Sequence, residues 1–242
     1  MNMILEEIGY EDWNRPSNIK AFTSKKKNPL QHIDLDLSRA PEGTPNCSVS
    51  SNGLYKVLPL VNDSAFIKQV HGINIIQSPS KDFFPEADGS FTLQKDNPCV
   101  VLTADCLPLM FCDQHGKLAG ILHCGWRGLV NGIIDSLHKH VGRSFKNLSF
   151  WLGPTLCINC FEVKKDFIDH LNLINVGHLK FVHASNDKYF FDIQSLCLEL
   201  LNKQKASKVA VSKDCTFCMQ DKYHSYRRNK TRSRHASIIW IS

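Results

Sequence analysis

Residues 109–142 run LMFCDQHGKLAGILHCGWRGLVNGIIDSLHKHVG, and the pattern of this stretch sets the fold class. Leu109 to Cys112 and Leu118 to Leu122 are short apolar runs flanking Asp113-Gln114-His115-Gly116, a turn composition, so together they predict a β-hairpin. Beyond Gly128 the period changes. Leu129, Ile133, Leu137 and Val141 recur with Val130 and Ile134 beside them, which gives a helix one apolar face. Gly142 is placed to end that helix, because glycine takes the left-handed conformation of a helix terminus without steric cost. Between hairpin and helix stands His123-Cys124-Gly125-Trp126-Arg127-Gly128, a histidine leaving a strand end through a glycine turn.

Working outward, Val100 to Ala104, Leu148 to Leu152, Tyr189 to Phe191, Lys208 to Val211 and Ser237 to Ile241 predict further strands. Asp192 is suited to cap a helix whose apolar face is Leu196, Cys197, Leu200 and Leu201. Strands and helices mix without strict βαβ alternation. The expectation is an α+β fold: a single domain over residues 1–242 with a mixed β-sheet and helices packed on its faces. Residues 1–50 are the least regular part, with loops at Lys25-Lys26-Lys27-Asn28-Pro29 and Ala40-Pro41-Glu42-Gly43-Thr44-Pro45. Trp13, Trp151 and Trp240 read as core aromatics, and Met110 and Phe111 as buried strand residues.

The chain is 43% hydrophobic and 21% charged, which excludes wholesale disorder and a fibrous architecture. No apolar run approaches the roughly 18 residues of a spanning helix, so no membrane partner is expected. The start is acidic at Glu6-Glu7 rather than basic and then apolar, which predicts a cytoplasmic protein, and the cysteines are expected to be reduced. Lys and Arg number 29 against 23 Asp and Glu, a balance of +6 that favours an anionic partner. Much of the positive charge is local, at Lys222, Arg227, Arg228, Lys230, Arg232 and Arg234. No nucleic-acid-binding motif accompanies it, so a small-molecule partner is expected and nucleic acid is not; the sequence says little about oligomeric state. Cys157/Cys160 and Cys215/Cys218 form two CxxC pairs, but 54 residues separate them, against roughly 15–20 in zinc ribbons, so core packing is the expected role.

His71, Cys106 and His123 are metal-ligand types at strand ends, and three protein ligands leave the fourth tetrahedral position of a catalytic zinc open. Gaps of 34 and 16 residues fit no local motif, and on spacing alone packed residues are the ordinary reading. Five motifs, however, stand in one order: Lys68-Gln69-Val70-His71-Gly72, Thr103-Ala104-Asp105-Cys106-Leu107-Pro108, His123-Cys124-Gly125-Trp126-Arg127-Gly128-Leu129, Leu152-Gly153-Pro154 and Tyr226-Arg227-Arg228. In this the chain resembles the polyphenol-oxidoreductase laccase-like family, associated with zinc-dependent purine nucleoside phosphorylase activity.

The resemblance implies zinc held by His71, Cys106 and His123. It also implies phosphorolysis of adenosine, inosine, guanosine and methylthioadenosine with inorganic phosphate as co-substrate, adenosine deaminase activity, and weak copper-dependent laccase-like oxidation. Zinc lowers the pKa of bound water from 15.7 to about 7, which suits deamination. Phosphorolysis needs an oriented phosphate, for which the planar guanidinium groups of Arg127, Arg227 and Arg228 are candidates. Asp105 is a candidate acid or base beside Cys106, and Trp126 a candidate pocket wall. Two segments depart from the family. Thr23-Ser24-Lys25-Lys26-Lys27-Asn28 lacks the usual arginine and glycines, and Arg232-Ser233-Arg234 lacks the usual glycine. The alternative is a cysteine hydrolase or transferase with Cys106 as nucleophile and His123 as its base, acting on a cell-wall precursor.

Overall fold

The structure is a computed structural model that describes residues 5–25, 65–82, 84–230 and 232–242. Its centre is β6 (Leu107–Asp113), buried along its whole length. Alternate side chains of a strand point to opposite faces, so Leu107, Leu109 and Phe111 enter one core while Met110 and Cys112 enter another. A near-continuous apolar run is what a doubly covered strand requires. β6 lies inside a six-stranded sheet in the order β12 (Lys208–Val211), β8 (Leu148–Leu152), β6, β7 (Ala119–Cys124), β4 (Gly89–Thr92) and β3 (Ile75–Ser78). β12 runs parallel to β8 and β3 parallel to β4, and the remaining neighbours are antiparallel.

Helices cover one face: α1 (Trp126–Val130), α2 (Ile133–Val141), α3 (Lys165–Asn175) and α4 (Ile193–Lys203). They bring Leu129, Ile133, Leu137, Leu171, Leu196 and Leu201 against Phe111, Phe150 and Leu152. The other face is covered by a second, antiparallel sheet in the order β1 (Leu5–Glu7), β2 (Ile19–Ser24), β13 (His235–Ile241) and β5 (Cys99–Thr103). Ile19, Ala21, Val101 and Ile239 there meet Met110, Ile121 and Trp151. The fold is therefore α+β with a mixed sheet, and a second sheet stands where helices were expected on that face. A short sheet of β9 (Glu162–Val163), β11 (Lys188–Phe191) and β10 (Val182–Ser185) and the single-turn helix α5 (Tyr226–Asn229) complete the named elements.

The hairpin read from residues 109–122 is β6–β7, closed where the Asp113 carboxylate accepts the Lys117 N–H at 2.7 Å. The helix expected after Gly128 is two helices, since Gly132 takes φ 99° and breaks the ladder between Val130 and Ile133. Gly142, at φ 58°, ends the second. Asp192 caps α4 by accepting the Ser195 N–H at 3.0 Å. β1 and β2 place regular structure in the segment expected to be least regular. The loops expected at residues 25–29 and 40–45 lie outside the described residues, Lys25 excepted. Among the described residues no helix is long and apolar enough to cross a membrane.

Candidate metal centre

Strand register assembles the three expected ligands at one end of the six-stranded sheet. β7 ends at Cys124, and Leu122 pairs with Gly89 of β4, which sets Asp88 against His123; the Asp88 carbonyl accepts the His123 N–H at 2.7 Å. Across the hairpin Leu107 pairs with Cys124, so Cys106 arrives at the same end, while His71 reaches it from the loop before β3. The three ligand atoms lie within 4.8 Å of one another, and Cys106 Sγ stands 3.9 Å from His71 Nε2. Zn–S and Zn–N bonds of about 2.3 and 2.0–2.1 Å at a tetrahedral angle put those two atoms about 3.6 Å apart, so the donor set fits zinc. His123 is buried, Cys106 half-buried and His71 exposed. The set therefore opens on one side, toward His71.

Asp88 holds this arrangement. It is fully buried, and each carboxylate oxygen accepts two N–H groups: Oδ1 from the His71 backbone at 2.9 Å and His123 Nδ1 at 2.8 Å, Oδ2 from the Val70 and Gly72 backbones at 3.2 and 2.6 Å. With Nδ1 committed to Asp88, His123 presents Nε2 to a metal. His71 itself takes φ 60°, a left-handed conformation that costs a non-glycine residue about 1–3 kcal/mol and persists where its surroundings over-determine it. Burial would raise the Asp88 carboxyl, but the hydrogen bonds from His123 and the Gly72 and Val70 backbones carry it below its ordinary value. Gly125 permits the close approach of chain to ligand: a Cβ there would lie 2.9 Å from His71 Cδ2 and 3.4 Å from Cys106 Sγ.

Without metal, Cys106 and His123 form an ion pair. Burial opposes both charges, yet the two imidazoles bring the Cys106 thiol down to about 6, and the thiolate with Asp88 pushes His123 up to about 9. Metal capture must displace the His123 proton, since a ligating imidazole is neutral. The sign follows. Between pH 6 and 9 Cys106 is already a thiolate and His123 still carries its proton, so zinc affinity rises about tenfold per pH unit and levels off near 9. Chelator-competition titrations check this; an affinity flat from pH 6.5 to 8.5 would show that zinc displaces no proton from His123 in that range.

The centre forms part of a cleft of about 720 Å³. Trp126, Phe161 and Tyr226 give it aromatic walls, and Lys68, Arg127, Arg227 and Arg234 give it positive charge. The Arg127 guanidinium lies 4.4 Å from the centroid of the Trp126 ring, and that of Arg227 lies 5.5 Å from Phe161. Arg228, expected to hold phosphate, does not line this cleft. Its guanidinium donates instead to the Thr216, Phe217 and Tyr223 carbonyls at 2.8–2.9 Å, which ties down the loop before α5. Asp105 lines the cleft, but its carboxylate accepts from Thr216 Oγ1 at 2.7 Å and from the Arg227 backbone N–H at 2.6 Å. It takes φ 98°, so the chain bends between β5 and β6 and the alternation of an extended strand does not apply to it.

The core-packing expectation for the two CxxC pairs is corrected: Cys218 is exposed, Cys157 and Cys160 are half-buried, and the four sulfurs form one cluster. Asp88 escaped the sequence reading altogether, because its link to His123 runs through the β4–β7 register and no local spacing encodes it.

The profile of the multi-copper polyphenol oxidoreductase laccase family matches residues 46–242. A purine nucleoside phosphorylase of Haemophilus influenzae is 29% identical over 95% of this chain and 97% of its own length. One of Borreliella burgdorferi is 32% identical over 78% of this chain and 84% of its own. A Neisseria meningitidis protein of known crystal structure superposes with a TM-score of 0.85 at 24% identity, covering 99% of this chain and 100% of that one.

Proposed function

The chain belongs to the multi-copper polyphenol oxidoreductase laccase family, and on that basis we propose that it is a zinc-dependent purine nucleoside phosphorylase acting on adenosine, inosine, guanosine and methylthioadenosine. One observation carries the reading: a His71, Cys106, His123 set, open on one side, in a cleft that also holds arginines and aromatic rings. That combination meets the needs of a flat purine, a ribose and a phosphate together, and the cleft volume lies in the usual range for small-molecule sites. A zinc ion bound there supplies a Lewis acid.

The chain's own residues do the rest. Arg127, Arg227 and Arg234 hold the phosphate dianion, and Trp126, Phe161 and Tyr226 cover the purine. A phosphate oxygen bonds to the anomeric carbon as the bond from that carbon to the base nitrogen breaks; the base leaves with the electron pair and takes up a proton. Asp105 acts as a positioning residue, since its carboxylate fixes the Arg227 backbone. Adenosine deamination and weak copper-dependent oxidation would be side activities of the same centre.

Base release is expected to require phosphate, and Arg227→Ala to raise the KM for phosphate. A hydrogen bond to a charged group contributes about 1.5–3 kcal/mol, which is roughly 10- to 150-fold. Release at the same rate without phosphate would replace the phosphorylase with a hydrolase. The second reading, a cysteine hydrolase using Cys106 and His123, draws on the lowered Cys106 thiol. Rapid alkylation of Cys106 in fully zinc-loaded protein would favour it, because a metal-bound thiolate is a poor nucleophile.

A further inference from the structure

The second cysteine cluster lies outside this chemistry. Parallel pairing of β8 with β12 continues past both strand ends in a bridge between Thr155 and Cys215, where the Thr216 N–H donates to the Thr155 carbonyl at 3.0 Å. Two CxxC turns far apart in sequence are thereby laid side by side. Each is closed tightly, the first by the Cys160 N–H on the Cys157 carbonyl at 3.0 Å, the second by the Met219 N–H on the Cys215 carbonyl at 2.9 Å.

The four sulfurs lie within 4.8 Å of one another, and Cys160 Sγ is 3.4 Å from Cys218 Sγ. Four thiolates about 2.3 Å from a tetrahedral zinc stand about 3.8 Å apart, close to this spacing. Backbone N–H groups already point at sulfur: Cys157 donates to Cys215 Sγ at 3.3 Å, and the Cys218 backbone N–H does so too. Such donors stabilise thiolate more than thiol. Apolar packing does not account for the cluster, since Cys218 is exposed.

We propose that Cys157, Cys160, Cys215 and Cys218 bind a structural zinc ion, separate from the centre at His71, Cys106 and His123. All four tetrahedral positions are taken by protein, so the site has no place for substrate. Binding is ligand exchange without oxidation: each Zn–S bond replaces an S–H bond, and the protons pass to solvent. Its effect is to clip together two loops poor in regular structure. One carries Leu156 and Phe161 of the cleft wall; the other carries Thr216, which holds Asp105, and two of the carbonyls that hold Arg228.

Metal analysis of the purified, reduced chain tests this. Wild type is expected to carry one more zinc per chain than Cys160→Ser/Cys218→Ser, while Cys218→His, which leaves a Cys₃His set, keeps the wild-type content. Cobalt-exchanged wild type, in which no cysteine is altered, is expected to show the thiolate-to-cobalt absorption of five thiolates, Cys106 included. Equal zinc in wild type and the double serine variant overturns the proposal, as does absorption of a single thiolate. Loss of four titratable thiols in denatured, unreduced protein also overturns it, since it would show the cluster to be a pair of disulfides.

Discussion

Cys106→Ala protein is expected to fold, to lose the zinc of the His71 centre and to lose turnover by on the order of 10³-fold, the equivalent of several kcal/mol of charge stabilisation by the metal. The substitution leaves the surrounding bend intact. Asp105 anchors that bend through Thr155 and Thr216, whose hydroxyls donate to its carbonyl and carboxylate at 2.6 and 2.7 Å. The side chain removed is small and half-buried, so the cost in stability is modest. Zinc content, thermal unfolding and phosphate-dependent base release, measured on one preparation, separate loss of metal from loss of fold. Unchanged turnover sinks the ligand assignment.

Asp88→Asn is expected to be nearly as damaging although Asp88 touches no substrate. Each carboxylate oxygen accepts two N–H groups, so the amide of an asparagine, in either flip, turns its own donors against two others. Removing the charge also leaves the buried His123 imidazolium with only the Cys106 thiolate as counter-charge in the metal-free protein. Breaking a buried pair outright costs about 3–5 kcal/mol, which bounds this loss from above, and removing an outer-shell partner typically weakens metal binding about 10- to 100-fold. The pH dependence has a definite sign. The folded carboxyl sits below its ordinary value, so its stabilisation is complete above about pH 4 and is lost as pH falls through the lower, folded value. Urea unfolding at pH 7 and in acid should show wild type losing that increment in acid and the variant lacking it at both. Equal stability and equal zinc affinity at pH 7 would remove Asp88 from the support of the centre.

What could be read from the chain divides by range. The β6–β7 hairpin, the Asp192 cap and the apolar face of α2 rest on periodicity and turn chemistry, and these survive into the structure because they are local. The break at Gly132 was less legible. Two short helices keep nearly the apolar pattern of one long helix, and only the backbone angle at that glycine distinguishes them. His71, Cys106 and His123 were singled out through their motifs, since their meeting depends on the β4–β7 and β6–β7 registers and on the loop before β3, which no spacing reveals. The four cysteines illustrate the limit most plainly. Zinc-ribbon spacing assumes a short connection between the CxxC pairs, whereas here a parallel β8–β12 pairing crosses a 54-residue excursion that includes α3 and α4. Arg228 was misplaced for a related reason: charge in sequence says nothing about which backbone carbonyls will claim it.

The Asp88 carboxylate grips residues 70–72 by their main chain alone. Side-chain identity at Val70, which is exposed, therefore has little bearing on where the His71 imidazole sits. Loop length has a great deal, because three consecutive amides must reach two oxygens at once. An insertion in that loop is therefore expected to displace the His71 imidazole, where a substitution at residue 70 leaves it in place.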